Sequence, residues 1–133
     1  MVMRTAGYAE GAQLAQPVAY STASNDGGRT WSLAKPEPLL YNAGSKGFYG
    51  RDSQGRYIYV YSANPERLPL HYKVQRKTGE WSDTRVFFDG GVRNSYPTLV
   101  EETPGVFLCI WDSSDDAARP RTAIRFARLK ISD

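Results

Sequence analysis

Short runs in which apolar and polar residues alternate recur along the 133-residue chain, and turn-forming residues separate them. The spacing typical of an amphipathic helix is nearly absent. Because a period of two places every second side chain on one face of a strand, the pattern predicts an all-β protein built from antiparallel strands. Three sets of strands are expected, at residues 2–6, 18–23 and 29–34, then 47–52, 56–63, 68–75 and 80–88, then 95–101, 106–112 and 122–131.

The three sets share a spacing of about 45 to 50 residues, which is typical of the four-stranded blades of a β-propeller. The second set is a whole blade, whereas the first lacks its innermost strand and the third its outermost one. The sequence therefore predicts a single domain that is a partial β-propeller of about 2.5 to 3 four-stranded antiparallel blades. Blade I is expected at 1–40, blade II at 44–90 and blade III at 94–133. Both chain ends then fall inside blades, as in a fragment or a half-ring.

Composition agrees with this fold, since an aromatic share of 13%, twelve Gly and eight Pro favour strands and tight turns. No apolar run is long enough to cross a bilayer, and the first residues lack the continuous apolar stretch of a secretory signal. The sequence predicts no membrane association and identifies no compartment. The single cysteine, Cys109, excludes an internal disulfide and is predicted to be a buried core thiol.

The net charge of +3 comes with twelve arginines against five lysines. Arginine presents a planar fork of donors that suits carboxylate or phosphate, so this balance hints at an anionic ligand. A solvated, weakly basic surface would give the same balance. No lysine-rich stripe of the kind that binds nucleic acid is present, so nucleic acid is not an expected partner.

One segment, residues 24–31, carries the most specific pattern of the chain. It reads Ser-Asn-Asp-Gly-Gly-Arg-Thr-Trp, and a weaker copy at residues 74–81 keeps Gly79 and Trp81 but loses the Asp. The spacing predicts a hairpin turn in which an Asp accepts backbone N–H bonds, glycines take positive φ and the Trp packs back on the strands. The segment fits the Asp-box pattern at every defined position, which are Ser24, Asp26, Gly28, Thr30 and Trp31. These five residues are expected to be structural.

The Asp box and three further positions make the chain similar to the C-terminal half of sialidase-type (neuraminidase, BNR-repeat) glycosidases, which are six-bladed propellers. In that family a strand ending in Arg precedes an Asp box, as Arg4 does here. A second Arg follows an Asn-Pro turn, as Arg67 follows Asn64-Pro65, and a Tyr opens the inner strand of the last blade, as Tyr96 does. The order and the spacing also match the family.

The resemblance implies a glycosidase site without metal or cofactor, in which Arg4 and Arg67 bind the carboxylate of an anionic sugar and Tyr96 is the catalytic nucleophile. A neutral phenol avoids the charge repulsion that a carboxylate nucleophile would meet at an anionic sugar. Because a phenol has a pKa of about 10, it needs a base, which is a Glu in this family. All three side chains are expected to converge on one pocket.

The resemblance has gaps. The family's first Arg, its general-acid Asp and the Glu partner of its Tyr all precede the position of Arg4, so at most half of the site is expected here and the isolated chain is expected to be inactive. The nucleophile strand reads Tyr-Pro-Thr instead of the commoner Tyr-Ser, and Trp111-Asp112 stands where many relatives carry a Glu. These changes suggest a divergent branch whose sugar need not be sialic acid.

Each site residue has a simpler interpretation that the sequence leaves open. Arg4 fits a solvated strand terminus, Arg67 fits a turn residue paired with Glu66 or Asp83, and Tyr96 fits ordinary packing. The alternative to a glycosidase is a non-catalytic carbohydrate-binding or assembly module that kept the fold and lost the acid and the base. The expected partners are an anionic sugar or glycan and either a second copy of the chain or the remainder of a longer propeller.

Three other groups invite a functional interpretation and have a structural one. His71 alternates with apolar neighbours and is expected between sheets or at the surface. Asp112, Asp115 and Asp116 could suggest a metal site, but the small residues around them predict a hydrophilic loop. The tyrosines of residues 57–61 lie on one face of a strand, where packing between blades is favoured over a platform for sugars.

Overall fold

The computed structural model describes residues 1–4, 17–42, 44–119 and 122–131, and within these ranges it contains ten β-strands and no helix. The all-β prediction is confirmed. None of the described residues belongs to a helix long and apolar enough to cross a membrane. The strands are β1 (Val2–Met3), β2 (Val18–Ser21), β3 (Lys35–Tyr41), β4 (Phe48–Arg51), β5 (Tyr57–Ser62), β6 (Leu70–Gln75), β7 (Arg85–Phe88), β8 (Arg93–Thr103), β9 (Val106–Ser114) and β10 (Ala123–Lys130).

The strands form three antiparallel sheets in which sequence neighbours are hydrogen-bonded neighbours. The N-terminal sheet has the order β1-β2-β3, the central sheet β4-β5-β6-β7 and the C-terminal sheet β8-β9-β10. Short turns join the strands, with Gly55, Gly79 and Gly105 at positive φ. None of the three sheets closes on itself, so each keeps two edges.

The central sheet packs against both of the others. On one face of β5, Tyr59 and Tyr61 form a buried cluster with Ala19 and Leu40 of the N-terminal sheet. On the other face, Ile58 and Val60 belong to a larger cluster that includes side chains of the C-terminal sheet, namely Leu99, Phe107, Cys109, Trp111 and Leu129. Because successive side chains of a strand point to opposite faces, a strand covered on both sides is apolar throughout. The predicted packing of the tyrosines between sheets is confirmed for Tyr59 and Tyr61.

Cys109 lies in the middle of β9 with no exposed surface and forms no disulfide, as the sequence predicted. Burial disfavours the thiolate and raises the pKa of the thiol to about 12. The thiolate is the reactive form of cysteine. Cys109 is therefore an unreactive component of the core.

Two predicted strands differ from the observed ones. The strand predicted at 29–34 is wrong, because the Asp-box turn extends to Trp31 and the strand that follows it is β3, which begins at Lys35. β3 contains Pro36 and Pro38, which lack a backbone N–H, and it tolerates them because it is an edge strand. The strand predicted at 80–88 is shortened to β7, with one bridge between Gln75 and Trp81 before it. Of the strand predicted at 2–6, residues 5 and 6 lie outside the described ranges.

The C-terminal sheet exposes an apolar face on the side away from the central sheet. Cross-strand partners share a face, and Ile110 pairs with Phe126 across β9 and β10. Ile124 lies two residues before Phe126 and shares its face, and Val100 of β8 lies on the same side. These four residues, called here the outer apolar face, are between 48% and 70% exposed. Such a face on a folded chain indicates a surface that packs against another element.

Candidate functional site

Tyr96 lies in a β-bulge of β8. Ser95 pairs with Asp112 and Thr98 pairs with Ile110, so Tyr96 and Pro97 together oppose a single residue of β9. Pro97 has no N–H to donate to the ladder, which favours an irregularity at this position. The bulge gives Tyr96 a φ of 57°, in the left-handed region that side chains other than glycine rarely adopt. It thereby turns the phenol away from the regular alternation of the strand.

Arg67 lies in the loop that joins β5 to β6, and Asn64 holds this loop closed. The Asn64 carbonyl accepts from the Arg67 N–H at 3.0 Å, and the Asn64 side chain both donates to the Leu68 carbonyl at 2.6 Å and accepts from the Leu68 N–H at 3.1 Å. Arg67 takes a φ of 67°. In the part of the chain that the structure describes, Arg67 and Tyr96 are the only residues other than glycine with positive φ. Strained backbone of this kind is concentrated at functional sites.

The two strained residues are in contact. The guanidinium carbon of Arg67 lies 5.2 Å from the centroid of the Tyr96 ring, within the range of a cation–π interaction. The backbone N–H of Asn94 donates to the Arg67 carbonyl at 2.7 Å, so the loop is fixed to β8 two residues before Tyr96. The Nη1 atom of Arg67 is buried and has no hydrogen-bond acceptor among the described residues. Arg67 also forms no ion pair with them, which leaves the predicted turn pairing with Glu66 or Asp83 unsupported.

Asn94 connects the site to the core. It has no exposed surface, and its Oδ1 accepts from the Trp111 indole N–H at 2.9 Å and from the Ser113 hydroxyl at 3.0 Å. Its Nδ2 donates to the Gly90 carbonyl at 2.8 Å, and its own carbonyl accepts from the Ser62 hydroxyl at 3.1 Å. A buried amide with every group satisfied fixes the backbone around it in one arrangement.

A cavity of about 670 Å³ lies beside Tyr96, and we call it the Tyr96 cavity. Its lining consists of Val2, Arg4, Lys46, Gly47 and Tyr96. Two of the five lining residues are cationic, and no carboxylate lines the cavity within the described ranges. Because cationic side chains attract negative charge, the lining is suited to an anion.

The structure shows two separate contacts among the three predicted site residues, both of which involve Tyr96. Arg67 contacts the Tyr96 ring, and Arg4 shares the cavity with Tyr96, although Arg67 is not part of the lining. Arg4 is exposed and makes no ion pair with the residues that the structure describes. The roles of Arg4 and Arg67 in binding and of Tyr96 in catalysis remain predictions.

Lys46 is a cavity residue that the sequence did not single out. It precedes β4, and its ammonium donates to the Thr98 hydroxyl at 3.3 Å, which fixes it near the bulge. At Gly47 a Cβ would lie 2.9 Å from the Val60 carbonyl oxygen, so the segment approaches β5 as closely as only glycine allows. In the sequence, a Lys-Gly pair before a predicted strand was the only sign of this residue. Its place in the cavity depends on the contact with Thr98, which the sequence does not reveal.

The Asp box forms the predicted turn. The Asp26 carboxylate accepts from the Thr30 N–H at 2.9 Å and from the Thr30 hydroxyl at 2.6 Å, and the Ser24 hydroxyl accepts from the Gly28 N–H at 2.8 Å. The Thr30 hydroxyl and N–H, together with the Ser24 hydroxyl, hold the pKa of the Asp26 carboxyl far below its usual range. Trp31 differs from the prediction, because it donates to the Gly28 carbonyl at 3.0 Å and stays 50% exposed instead of packing on the strands.

The other polar groups are engaged in ordinary contacts. Asp115 forms a two-point ion pair with Arg125 at 2.7 and 2.9 Å, and Asp116 accepts from the Ala118 N–H at 2.9 Å in the loop after β9. No group of three or more His, Cys, Asp or Glu that could hold a metal occurs among the described residues. His71 is partly buried and lies edge-on to Tyr61, with ring centroids 5.8 Å apart.

The chain matches no protein-family model, and no curated protein matches it at a significant level. The proposed function therefore rests on the geometry of the Tyr96 cavity and on the Asp-box turn.

Replacing Asn94 by Ala is expected to destabilise the fold by about 3 kcal/mol, because it removes the acceptor of two buried donors and the donor to Gly90. Urea unfolding followed by circular dichroism measures the change. Asn25→Ala is the matched control, since Asn25 is exposed in the Asp-box turn, and it is expected to change the stability by less than about 0.5 kcal/mol. Equal unfolding midpoints for the two variants would contradict a central role of Asn94.

Proposed function

We propose that the chain is part of a sialidase-like β-propeller and that the Tyr96 cavity binds the carboxylate of an anionic sugar. The observation that supports the proposal is that Tyr96 contacts the Arg67 guanidinium and lines one cavity together with Arg4. Arg4 and Arg67 are 63 positions apart, and Arg67 and Tyr96 are 29 apart. Arg4 follows β1, Arg67 lies between β5 and β6, and Tyr96 lies in β8. Residues so far apart converge in this way where successive blades surround a common axis.

The propeller arrangement is supported by the correspondence between sheets. The Asp box joins β2 to β3, and its weaker copy joins β6 to β7. The N-terminal sheet therefore corresponds to β5-β6-β7, and what it lacks is the counterpart of β4. Sheets of sequential antiparallel strands that pack face to face are the building units of propellers.

An anionic sugar would find charges of the right sign at the Tyr96 cavity. Arg4 and Lys46 line it and supply two cations, of which the arginine can hold a carboxylate by two parallel hydrogen bonds. Arg67 adds a third cation behind the Tyr96 ring, and its buried Nη1 lacks an acceptor among the described residues. Because Arg67 is not part of the cavity lining, it would act on a bound carboxylate through its charge and not through a direct hydrogen bond.

In a complete site Tyr96 would act as the nucleophile. Its phenol is neutral when unperturbed and so avoids repulsion by the sugar carboxylate, and the adjacent Arg67 guanidinium would stabilise negative charge that develops on the phenol. The described lining offers no carboxylic acid to deprotonate the phenol or to protonate the leaving group. That observation favours a second candidate, a carbohydrate-binding module that holds the sugar without cleaving it.

We expect the chain to bind N-acetylneuraminic acid, as measured by isothermal titration calorimetry. Arg4→Ala is expected to weaken binding by about 2 kcal/mol, roughly thirtyfold in Kd, because it removes a charge-assisted contact from the cavity lining. Arg119→Ala removes the same charge from an exposed loop and is expected to leave Kd unchanged. An equal loss of affinity in both variants would mean that sugar binding depends only on the net charge of the protein.

We expect the 133-residue chain to show no measurable turnover of a fluorogenic sialoside, because the described cavity contains neither a general acid nor a base for the phenol. Each of these roles is worth orders of magnitude in rate. Turnover by pure protein that Tyr96→Phe abolishes would show that the catalytic groups are present and that the assignment of the missing roles is wrong.

We further propose that a second copy of the chain completes the ring. The outer apolar face is uncovered, and β1 and β10 each have an edge with no neighbour in their sheets. Sheet edges and apolar faces recruit partners. Two copies of three sheets make six, so a two-fold head-to-tail arrangement would cover the outer apolar face of each copy with the N-terminal sheet of the other.

Multi-angle light scattering at micromolar concentration is expected to give a species of twice the 14.9 kDa chain mass. Phe126→Glu is expected to shift the equilibrium to the monomer by placing a charge on the outer apolar face. Val86→Glu is the matched control, because Val86 is 57% exposed on β7, away from that face. A wild-type monomer without self-association would overturn the proposed ring closure.

A further inference from the structure

A second cavity, of about 340 Å³, lies between the N-terminal and central sheets, and we call it the inter-sheet cavity. The N-terminal sheet lines it with polar side chains, among them Ser21, Lys35 and Glu37, and the central sheet lines it with Tyr49, Tyr57, Gln75 and Trp81. Its volume falls in the lower part of the range of ligand pockets, about 300–1,000 Å³. The linings of the inter-sheet cavity and the Tyr96 cavity share only Val2.

Three aromatic rings form one wall of the inter-sheet cavity. Tyr49 and Tyr57 are stacked with ring centroids 5.3 Å apart and an interplanar angle of 18°, and Trp81 lies 6.5 Å from Tyr49 at 52°. Each of the three is only partly buried. Tyr57 is thus the one tyrosine of residues 57–61 that lines a cavity instead of packing between the sheets. The arrangement provides an apolar surface that remains accessible beside the protein core.

Polar groups stand next to this wall. Glu37 accepts a hydrogen bond from the Ser21 hydroxyl, and its Oε1 lies 3.9 Å from the Lys35 ammonium. Burial, with the nearby Tyr57 and Glu37, raises the pKa of Tyr49 to about 12, so its hydroxyl remains a neutral donor. Glu37 and Lys35 balance each other in charge. The side chains of the lining therefore carry no net charge, and the Met1 ammonium donates to the Thr22 carbonyl at 2.9 Å.

We propose that the inter-sheet cavity binds a neutral mono- or disaccharide, with one face of a sugar ring on the aromatic wall and its hydroxyls on Glu37, Lys35 and Gln75. A pyranose presents an apolar C–H face and a rim of hydroxyls, which matches an aromatic wall beside donors and acceptors. A wholly apolar ligand would leave the polar wall without partners, at a cost in free energy. An anionic sugar would gain nothing from a pair of balanced charges.

The test uses the three tryptophans as reporters in a ¹H–¹⁵N spectrum of the labelled chain. Trp81 lines the inter-sheet cavity, Trp31 lies in the Asp-box turn and Trp111 is buried in the core. Titration with lactose, maltose and cellobiose, three neutral disaccharides, is expected to give a saturable shift of the Trp81 indole signal at millimolar sugar for at least one of them. The Trp31 and Trp111 signals are expected to stay in place.

Two variants locate the site. Tyr57→Ala is expected to raise Kd about tenfold, whereas Tyr57→Phe keeps the ring and is expected to leave Kd within about twofold. Ala23→Phe adds bulk at the exposed lining residue Ala23 without removing an aromatic contact, and it is expected to abolish the shift even if Tyr57→Ala fails to fold.

The proposal is overturned if none of the disaccharides shifts Trp81 saturably, or if the shift persists unchanged in Tyr57→Ala and Ala23→Phe. A shift that Arg4→Ala removes and Tyr57→Ala leaves intact would assign the sugar to the Tyr96 cavity and would overturn the proposal as well. Loss of N-acetylneuraminic acid binding has no bearing on this site. The two proposals therefore fail separately.

Discussion

The hydrogen bonds of Asn94 are the interaction on which the site depends. The Asn94 side chain is fully buried, and its amide oxygen accepts from Trp111 and Ser113 within the C-terminal sheet. The Asn94 backbone N–H donates to the Arg67 carbonyl and so holds the loop of the central sheet. Leaving any of these groups without a partner in the interior would cost more than the bond itself is worth. The relative position of Arg67 and Tyr96 is therefore determined by the core and not by the flexible ends of their side chains.

The two strained backbones at Arg67 and Tyr96 depend on this support. A left-handed φ at a residue with a side chain costs free energy, and it persists only where the surroundings compensate for it. Here Asn64 closes one loop and Asn94 anchors the other strand. The polar network thus maintains a geometry that local preference opposes, which is the usual relation between a site and its scaffold.

Local chemistry made part of the structure predictable. The Asp-box turn followed from its residues, because every bond in it joins groups within eight positions of the chain. The strands of the central and C-terminal sheets followed from their period of two. β3 did not, since its two prolines argue against a strand unless the edge position is known. Lys46 and the environment of Asn94 also escaped prediction, because their partners lie far away in sequence: Thr98 is 52 positions from Lys46, and Trp111 is 17 from Asn94.

The double coverage of the central sheet has a consequence for how the molecule opens. β5 has neighbours on both edges and packed layers on both faces, so its amide hydrogens can exchange with solvent only after whole sheets separate. The N-terminal and C-terminal sheets are covered on one face by the central sheet and can loosen one at a time. Local openings should therefore progress from the two outer sheets inward, so that β5 preserves its hydrogen bonds longest.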